Sequence, residues 1–543
     1  MIAEELKKIA GEIANDAETL EKYSRDASLF EIKPEVVVFP KDAEDVKKLV
    51  AFVGKNKKKN KNLSLTPRAG GSDMTGGPLT ESIVVDFKHF DRIKAIGDDY
   101  AVAEPGVFYR DFERETLKKN LILPTYPASR EMCALGGMVA NNAAGEKTLK
   151  YGKTIDYVEE IKTVLADGKE YLIKPLNQKE LAKKIKGKGF ENKVYREIFR
   201  LIKRNYEIIR KAKPSVSKNS AGLNLWDVWD GKTFDLVKLF VGSQGTLGLI
   251  TEAKLRLVPA GKYSGLLVIF MKDMAALPEV INKTLKLKPA SFESFDDHTF
   301  GLALKFFTGF LKVMGVNIVS LGLQFLPEFF HVLINGMPKM VLLAEFEEES
   351  QEEVNRKIRE LKRALKPFEL STKSAPTAES SKKYWVMRRE SFNLLRHKVK
   401  GLKTAPFIDD VIVRPEHLPE FLPKLYEILD RYKFLYTVAG HVGDGNFHII
   451  PLMDFNDQKQ VDLIPKAADE VYDLVLRYGG SITAEHNDGL IRGAYLKKMY
   501  GSKIFALFRK VKKIFDPQDI FNPGKKSEAA NLKTLLYKNL RKQ

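Results

Sequence analysis

Short apolar runs separated by polar turns dominate the first half of the chain. Residues 36–39, 83–86 and 100–103 are runs of this kind and predict buried strands. Residues 42–55 instead repeat apolar positions at helical spacing, which predicts a helix with Asp42 at its start as the capping residue. Further strands are predicted at 63–66, around Val164, at 240–241 and at 255–258. The pattern predicts an α+β domain.

The strand pattern restarts near Pro259. Residues 266–270 and 341–346 predict strands of a second sheet, and residues 350–366 predict an amphipathic helix. We therefore predict three parts: a first domain over 1–259, a second over 260–486 with an apolar insert at about 300–340, and a C-terminal helical segment over 487–543.

The apolar segment 306–338 carries only two formal charges, Lys312 and Glu328. Its longest charge-free run, 313–327, has 15 residues, whereas a membrane-spanning helix needs about 18 or more apolar residues. Two interpretations stay open, a buried pair of helices or an apolar surface that lies on a membrane.

Composition narrows the classes of protein. The 543 residues suit two or three domains, and the single cysteine, Cys133, excludes an internal disulfide framework and a cysteine-ligated iron–sulfur cluster. The N-terminus lacks the order of a secretory signal, which favours the cytoplasm. The net charge of +19 suits either a solvated lysine-rich surface or an anionic partner. No zinc-finger, RNA-binding or helix-turn-helix pattern accompanies it, which disfavours nucleic acid.

Three glycine-rich segments could hold phosphate groups. They are residues 66–77, residues 134–145 with Tyr151 and Gly152 after them, and residues 241–251. Glycines let backbone N–H groups converge on an anion, and hydroxyl side chains add donors. None has the sequence of a Walker loop or of a Rossmann dinucleotide site.

A cluster of polar residues in the second half suits a metal ion. Two strand-like runs within 434–451 flank a Gly-Asp-Gly-Asn turn at 443–446, and a hairpin there would place His441 opposite His448. Glu485 and His486 follow at the end of another predicted strand. Two histidines and one carboxylate suit zinc, iron or manganese, with zinc favoured.

The order of the three glycine segments resembles the FAD-binding domain of vanillyl-alcohol oxidase and p-cresol methylhydroxylase relatives. The chain departs from their pattern at Ala69, Ala144 and Gln244. Ser72 stands where covalently flavinylated relatives have histidine, so the resemblance implies non-covalent FAD. The FAD-binding residues that the resemblance implies are Pro67, Arg68, Ala69, Gly70, Gly71, Ser72, Asp73, Thr75, Gly76, Pro127, Ser129, Gly136, Gly137, Asn141, Ala143, Gly145, Tyr151, Gly152, Gly242, Gly245, Thr246, Gly248, Ile250, Thr251 and Asn522.

The segments 440–448, 485–486 and 515–525 resemble the C-terminal half of D-lactate, D-2-hydroxyglutarate and glycolate dehydrogenases, except that Asn487 replaces a glycine. The resemblance implies a two-subdomain FAD-binding domain and a ferredoxin-like antiparallel-sheet substrate domain. It implies that the metal ligands are His441, His448 and Glu485, that His486 is the general base, and that Asn446 positions the substrate. Residues 385–390 resemble a stretch whose arginine, here Arg388, grips the substrate carboxylate.

The expected reaction is oxidation of a 2-hydroxy acid to the 2-oxo acid by hydride transfer to FAD. The acidic stretch 407–410 slightly favours a lactate-like monocarboxylate over 2-hydroxyglutarate. A membrane quinone or a soluble carrier would take the electrons, and peripheral association with the inner face of a membrane is one alternative. Other candidates are an alkylglycerone-phosphate-synthase-like FAD transferase, a metal-dependent hydrolase and a membrane-associated scaffold.

Overall fold

A computed structural model describes residues 2–6, 11–297, 299, 336–386, 388 and 401–540. The strands of the first half are β1 (Glu12–Ala14), β2 (Val36–Phe39), β3 (Leu65–Arg68), β4 (Ile83–Asp86), β5 (Ile93–Ile96), β6 (Tyr100–Ala103), β7 (Leu121–Ile122), β8 (Val158–Val164), β9 (Glu170–Ile173), β10 (Leu176–Asn177), β11 (Thr233–Phe234), β12 (Leu249–Arg256) and β13 (Val258–Pro259). Its helices are α1 (Ile2–Leu6), α2 (Ala17–Tyr23), α3 (Ala43–Asn56), α4 (Tyr109–Leu117), α5 (Leu135–Asn141), α6 (Thr148–Tyr151), α7 (Gln178–Lys186), α8 (Phe190–Arg204), α9 (Tyr206–Lys211) and α10 (Val237–Phe240).

The second half contributes the strands β14 (Tyr263–Met271), β15 (Ser291–Asp296), β16 (Met340–Glu348), β17 (Ser371–Ala375), β18 (Lys403–Thr404), β19 (Val411–Ile412), β20 (Leu435–His441) and β21 (Asn446–Met453). The helices described there are α11 (Leu277–Lys286), α12 (Gln351–Leu365), α13 (Leu418–Arg431), α14 (Gln458–Arg477), α15 (Gly489–Arg492), α16 (Leu496–Phe515) and α17 (Leu532–Asn539).

The first sheet has the order β1-β2-β4-β3, with β2, β4 and β3 parallel. Helix α3 covers it and begins after Asp42, whose side chain accepts the N–H of Asp45 at 3.1 Å. The predicted strands 36–39 and 83–86 and the predicted helix 42–55 are confirmed within one residue. The strand predicted at 63–66 lies two residues later.

The second sheet is antiparallel, with the order β5-β6-β12-β8-β9. It confirms the strands predicted at 100–103 and around Val164, whereas the run predicted at 255–258 is divided between β12 and β13. The strand predicted at 240–241 is wrong, because this run ends helix α10. The Asp235 carboxylate accepts the N–H of Val237 at 2.9 Å at the start of that helix. A short apolar run does not distinguish a buried strand from a buried helical turn.

The third sheet is antiparallel and runs β17-β14-β16-β15-β20-β21-β18, with β19 also paired to β21. Alternate residues of each strand face opposite sides. One side presents Phe292, Val438 and Ile449 to a core that the helices α11 to α14 complete. The other side faces the first half and carries polar residues such as Glu293 and His448. The strands predicted at 266–270 and 341–346 and the helix at 350–366 are confirmed, as is the α+β class.

The chain returns to the first half with α16, whose residues Phe508, Val511 and Phe515 pack in the core of that half. The Leu65 N–H donates to the Ile520 carbonyl at 2.7 Å, and the Asn522 N–H donates to the Leu65 carbonyl at 2.8 Å. Ile520 and Phe521 enter the core beneath the first sheet. No described helix is long and apolar enough to cross a membrane. Apart from its last three residues, the apolar segment 306–338 lies outside the described residues.

A buried ion cluster joins the two halves. Lys147, just before α6, donates to Glu345 at 2.8 Å and to Glu347 at 2.6 Å, and both glutamates lie on β16. Lys150 and the Tyr151 hydroxyl also contact Glu347. Burial raises the pKa of Glu347, but the neighbouring Lys147 has the larger, opposite effect, and the pKa falls to about 2. Glu347 therefore stays ionised at neutral pH, and the cluster ties the third sheet to the first half.

We expect Lys147→Met to destabilise the protein by about 3–5 kcal/mol at pH 7, because it leaves buried carboxylates without their lysine. Urea unfolding of the FAD-loaded protein measures this loss. The free carboxyl pKa is about 4.3 and the folded one lies below it, so the contribution of Glu347 is present above about pH 4.3 and is lost as the pH falls toward 2.

The difference between variant and wild type should therefore shrink on acidification. Lys118→Met is the matched control, since the Lys118–Glu115 pair is exposed and such pairs contribute about 0–1 kcal/mol. Equal losses in the two variants at pH 7 would contradict the stabilising role of the cluster.

Candidate active site

A cavity of about 720 Å³ lies between the glycine segments of the first half and the polar side of the third sheet. The FAD-binding residues predicted above that line it are Pro67, Arg68, Ala69, Gly70, Gly71, Ser72, Asp73, Pro127, Ser129, Gly136, Gly137, Asn141, Ala143, Gly245, Gly248 and Ile250. His441, His448, Glu485, His486 and Arg388 line the same cavity. The structure thus brings both predicted groups of residues to one space.

The glycine segments form a cradle that side chains would fill. A Cβ on Gly70 would lie 2.5 Å from the Met132 carbonyl oxygen, so only glycine lets the two backbone segments approach this closely. A Cβ on Gly137 would meet no other protein atom within 4 Å. It would project into open space beside the cavity, as expected where a cofactor lies against the backbone.

Nine of the predicted FAD-binding residues lie outside the cavity lining: Thr75, Gly76, Gly145, Tyr151, Gly152, Gly242, Thr246, Thr251 and Asn522. Several of them support residues that do line it. The Thr75 hydroxyl donates to Asp73, and the Asn522 amide donates to the Gln244 carbonyl at 2.7 Å. Tyr151 instead belongs to the ion cluster of Lys147.

Other lining residues were missed by sequence reasoning. The group near the glycine loops includes Arg25, Asp26, Tyr126, Arg130 and Gln244, and the group on the polar side of the third sheet includes Thr299, Thr404, Asp409, Thr437, Ala439 and Ile450. Alternation along β20 and β21 could have identified Thr437, Ala439 and Ile450, because they share the face of the histidines.

The two hairpin histidines are diagonal neighbours, so the predicted direct pairing of His441 with His448 is wrong. His441 pairs with Asn446, and His448 pairs with Ala439. The turn occupies residues 442–445 and includes Gly445 at φ 75°, so it begins one residue earlier than predicted. Diagonal residues share one face, and the two Nε2 atoms lie 3.3 Å apart.

Glu485 and His486 lie in an irregular loop and not at the end of a strand, which corrects the prediction. The loop folds around Asp410, whose Oδ2 accepts the N–H groups of Glu485 at 2.9 Å and His486 at 2.8 Å. Oδ2 also accepts the Ala484 N–H at 2.9 Å and the Thr483 hydroxyl at 2.6 Å. The bend lets both side chains face the cavity.

Asn487 completes this loop with a left-handed backbone at φ 71°. Asparagine tolerates this conformation better than most residues, so the replacement of glycine leaves the loop intact. Its amide donates to the Gly242 carbonyl at 2.9 Å. That bond joins the loop to the third glycine segment.

Buried carboxylates hold all three histidines from behind. Glu293 accepts from His441 Nδ1 at 2.6 Å, and Asp409 accepts from Nδ1 of both His448 and His486, at 3.1 and 2.6 Å. An ionised carboxylate can only accept a hydrogen bond, so Nδ1 of each ring carries a proton. Nε2 is the ring nitrogen that remains for a second contact. Sequence reasoning missed Glu293 and the role of Asp409.

The carboxylates and the histidines of the site each favour the charged form of the other. Burial lowers the pKa of His448, but Asp409 outweighs it and raises that pKa to about 10. The same two causes leave the pKa of His486 above its ordinary value. Burial raises the pKa of Glu485, whereas Lys218 and the histidines hold it well below its usual range. Lys218 is fully buried and donates to Glu485 Oε2 at 2.9 Å.

The geometry fits a cation held by His441, His448 and Glu485. Glu485 Oε1 lies 3.3 Å from Nε2 of each histidine, and the two nitrogens lie 3.3 Å apart. Tetrahedral ligands about 2.0–2.1 Å from a zinc ion lie about 3.3–3.4 Å from each other. Three acceptor atoms at this spacing require a proton or a metal ion between them.

Arg388 and Asn446 occupy different places. Arg388 lines the cavity, and its Nε lies 2.8 Å from Glu293 Oε2. Asn446 is buried outside the cavity lining, where its amide donates to Asp410 Oδ1 at 3.0 Å and to the Val411 carbonyl at 3.1 Å. Asn446 therefore supports Asp410, and the predicted direct contact with a substrate does not fit its position.

Two family descriptions match most of the chain. "FAD binding domain" matches residues 34–173, and "FAD linked oxidases, C-terminal domain" matches residues 266–526. The chain therefore carries an FAD binding domain and a C-terminal domain of FAD linked oxidases. The first match contains the first two glycine segments, and the second contains the histidine cluster. In this structure residues of the two matched regions line one cavity.

Characterised relatives carry dehydrogenase names. D-2-hydroxyglutarate dehydrogenase of Pseudomonas putida is 29% identical over 95% of this chain, and the chain spans about half (50%) of that relative's length. D-2-hydroxyglutarate dehydrogenase of Stutzerimonas stutzeri is 26% identical, covering 96% of this chain and 98% of its own. D-lactate dehydrogenase of Archaeoglobus fulgidus is 26% identical over 90% of each.

Solved structures agree with this family at the level of the fold. p-Cresol methylhydroxylase with substrate bound superposes with a TM-score of 0.69 at 15% identity, covering 97% of this chain and 96% of its own. Alkyldihydroxyacetonephosphate synthase superposes with a TM-score of 0.65 at 16% identity, covering 94% and 82%. The predicted FAD-binding fold is confirmed.

We expect Asp410→Asn to loosen the loop 483–486. The NH2 group of asparagine would replace an acceptor oxygen and would face N–H groups that cannot accept a hydrogen bond. Losing a charge-assisted hydrogen bond costs about 1.5–3 kcal/mol, which corresponds to amide exchange at least about tenfold faster. Hydrogen–deuterium exchange of a peptide spanning 481–489 measures it. Asp457→Asn is the control, since Asp457 caps α14 and asparagine caps helices equally well. Unchanged protection in Asp410→Asn would contradict this account.

Proposed function

We propose that the protein is an FAD-dependent dehydrogenase that oxidises a 2-hydroxy acid to the 2-oxo acid. One observation carries the proposal: the glycine cradle, the His–His–Glu group, His486 and Arg388 all line one cavity. The dehydrogenase names of the relatives support the same reaction. When bound, FAD supplies the acceptor for the two electrons that leave the substrate, and a quinone or a soluble carrier then takes them.

His441, His448 and Glu485 would hold a divalent metal ion, with zinc favoured by the donor set. When bound, such an ion supplies a Lewis acid that favours the ionised form of a neighbouring hydroxyl group. Lys218 holds the second oxygen of Glu485, and Glu293 and Asp409 hold the far nitrogens of the histidines. Buried partners of this kind orient metal ligands and raise their basicity.

His486 is the proposed general base for the 2-hydroxyl proton. Asp409 fixes its Nδ1 proton, so in the neutral ring Nε2 is the atom that accepts another. This Nε2 lies 3.9 Å from Glu485 Oε1, which puts the base beside the proposed metal ligands. Proton removal from a hydroxyl held there would accompany hydride loss from C2.

Arg388 is the proposed partner of the substrate carboxylate. A guanidinium group pairs with a carboxylate in two-point geometry. A substrate fixed at both its carboxylate and its 2-hydroxyl presents one face of C2 to the cofactor. Arg388 and the histidines would therefore determine the orientation of the substrate together.

We propose a substrate with a short, uncharged side chain, such as D-lactate, over the dicarboxylate D-2-hydroxyglutarate. The sheet face beside His448 carries Thr437, Ala439 and Ile450, and Thr404 lines the same cavity. None of these four residues is cationic. The acidic stretch 407–410 gives no support for this choice, because Asp409 and Asp410 are occupied by His486, His448 and the loop 483–486.

A substrate panel tests the proposed function. We expect D-lactate to bleach the flavin of the purified protein anaerobically, and we expect a chelator to stop the reaction and Zn²⁺ to restore it. L-lactate, glycolate and D-2-hydroxyglutarate complete the panel. Failure of every acid would exclude the dehydrogenase and favour the transferase alternative, which shares the fold. Bleaching that survives metal removal would exclude only the metal.

Ile450→Arg tests the side-chain selectivity. An arginine on this face would offer a partner to a second carboxylate, so we expect the ratio of kcat/KM for D-2-hydroxyglutarate to that for D-lactate to rise by at least about tenfold, the equivalent of about 1.4 kcal/mol. Ile450→Met changes shape without charge and should leave the ratio within about threefold. An unchanged ratio in the arginine variant would place the substrate side chain elsewhere.

A further inference from the structure

Glu293 lies in the middle of β15, fully buried, on the side of the third sheet that faces the cavity. Its two oxygens serve two different groups. Oε1 accepts from His441 Nδ1 at 2.6 Å, and Oε2 lies 2.8 Å from Arg388 Nε. A buried carboxylate is costly without partners, and here each oxygen has a cationic or donor partner.

The two contacts have different chemical consequences. The contact with His441 fixes the ring so that Nε2 points toward His448 and Glu485. The contact with Arg388 is a close ion pair without hydrogen-bond geometry, so Glu293 holds the guanidinium group by its charge. Moving or neutralising Glu293 would therefore disturb a metal ligand and the proposed carboxylate partner at once.

We infer that Glu293 is a positioning residue that couples the metal site to the substrate-carboxylate site. The metal half of this inference rests on the His–His–Glu geometry, and the Arg388 half rests on the proposed function. Glu293 is not among the residues that line the cavity. From its place on β15 it orients the side chains of His441 and Arg388.

Asp409 offers a matched comparison. It holds His448 and His486 in the same way, but the structure gives it no contact with Arg388 among the described residues. Neutralising Asp409 should therefore weaken metal binding while leaving the carboxylate partner in place. Neutralising Glu293 should weaken both, and this difference separates coupling from a general loss of order.

Two titrations on the FAD-loaded, metal-stripped protein test the inference. The first adds Zn²⁺ alone and measures its affinity by calorimetry. The second adds pyruvate at saturating Zn²⁺ and follows the flavin absorption spectrum, because a 2-oxo acid cannot reduce oxidised flavin. FAD content, measured in each variant, shows that the fold is retained. The variants are Glu293→Gln, Glu293→Asp, Asp409→Asn and Glu348→Gln.

We expect both Glu293 variants to bind Zn²⁺ about 10- to 100-fold more weakly and pyruvate at least about tenfold more weakly. Asp409→Asn should weaken Zn²⁺ similarly and leave pyruvate within about threefold of wild type. Glu348→Gln replaces a partly exposed glutamate on β16 that pairs with Lys357. It should leave both affinities within about threefold. Glu293→Asp keeps the charge but is too short to reach both partners, so it serves if the glutamine variant does not fold.

If the Glu293 variants lose affinity for only one of the two ligands, Zn²⁺ or pyruvate, the coupling is overturned. If Asp409→Asn loses as much affinity for pyruvate as the Glu293 variants do, the coupling is also overturned, because the loss of affinity would then be general. A wild-type protein that binds Zn²⁺ but no 2-oxo acid would remove the proposed function and the Arg388 half together. A wild-type protein that reduces its flavin with D-lactate while Glu293→Gln binds both ligands normally would overturn the coupling alone.

Discussion

The active site depends on one carboxylate oxygen, Oδ2 of Asp410, which accepts four hydrogen bonds from the loop 483–486. Asp410 has a left-handed backbone at φ 68°, a conformation that costs free energy outside glycine and persists where its surroundings enforce it. By gathering three consecutive N–H groups, it turns Glu485 and His486 toward the same space. A regular strand would have pointed these adjacent side chains in opposite directions.

The third sheet extends this arrangement through its alternation. One side supplies an ordinary apolar core, and the other presents carboxylates and histidines to the first half of the chain. The Lys147 cluster and the cavity both lie on this polar side. Burial makes unpaired charges there costly, so each carboxylate needs a fixed partner, and this requirement makes the site rigid.

Local patterns predicted the parts of the fold that local physics determines. The apolar run 36–39 and the helix after Asp42 were predicted within one residue, because burial and capping act over a few positions. The short run at 240–241 was misassigned, since helix and strand bury such a run equally well. The offset of the hairpin turn by one residue changed the partner of His441, because register depends on turn geometry that composition does not determine.

The candidate site was predictable only where its residues are close in sequence or resemble a known motif. His441, His448, Glu485 and His486 were identified in this way. Glu293 and Lys218 were not identified, because they lie 148 and 267 residues from His441 and Glu485, the residues that they contact. A glutamate in an apolar strand and a lysine in a basic chain carry no local signal. Asp409 was noted only as an acidic neighbour, and its contacts with two histidines became visible only in three dimensions.

Lys218 has a consequence for how such a chain can diversify. It belongs to the first half, yet its buried ammonium group neutralises Glu485 in the second. A second half joined to an FAD-binding half that lacks a basic residue at this place would bring its carboxylate without that counter-charge. An exchange of halves is therefore expected to keep the site intact only where position 218 and the loop that it contacts stay matched in charge.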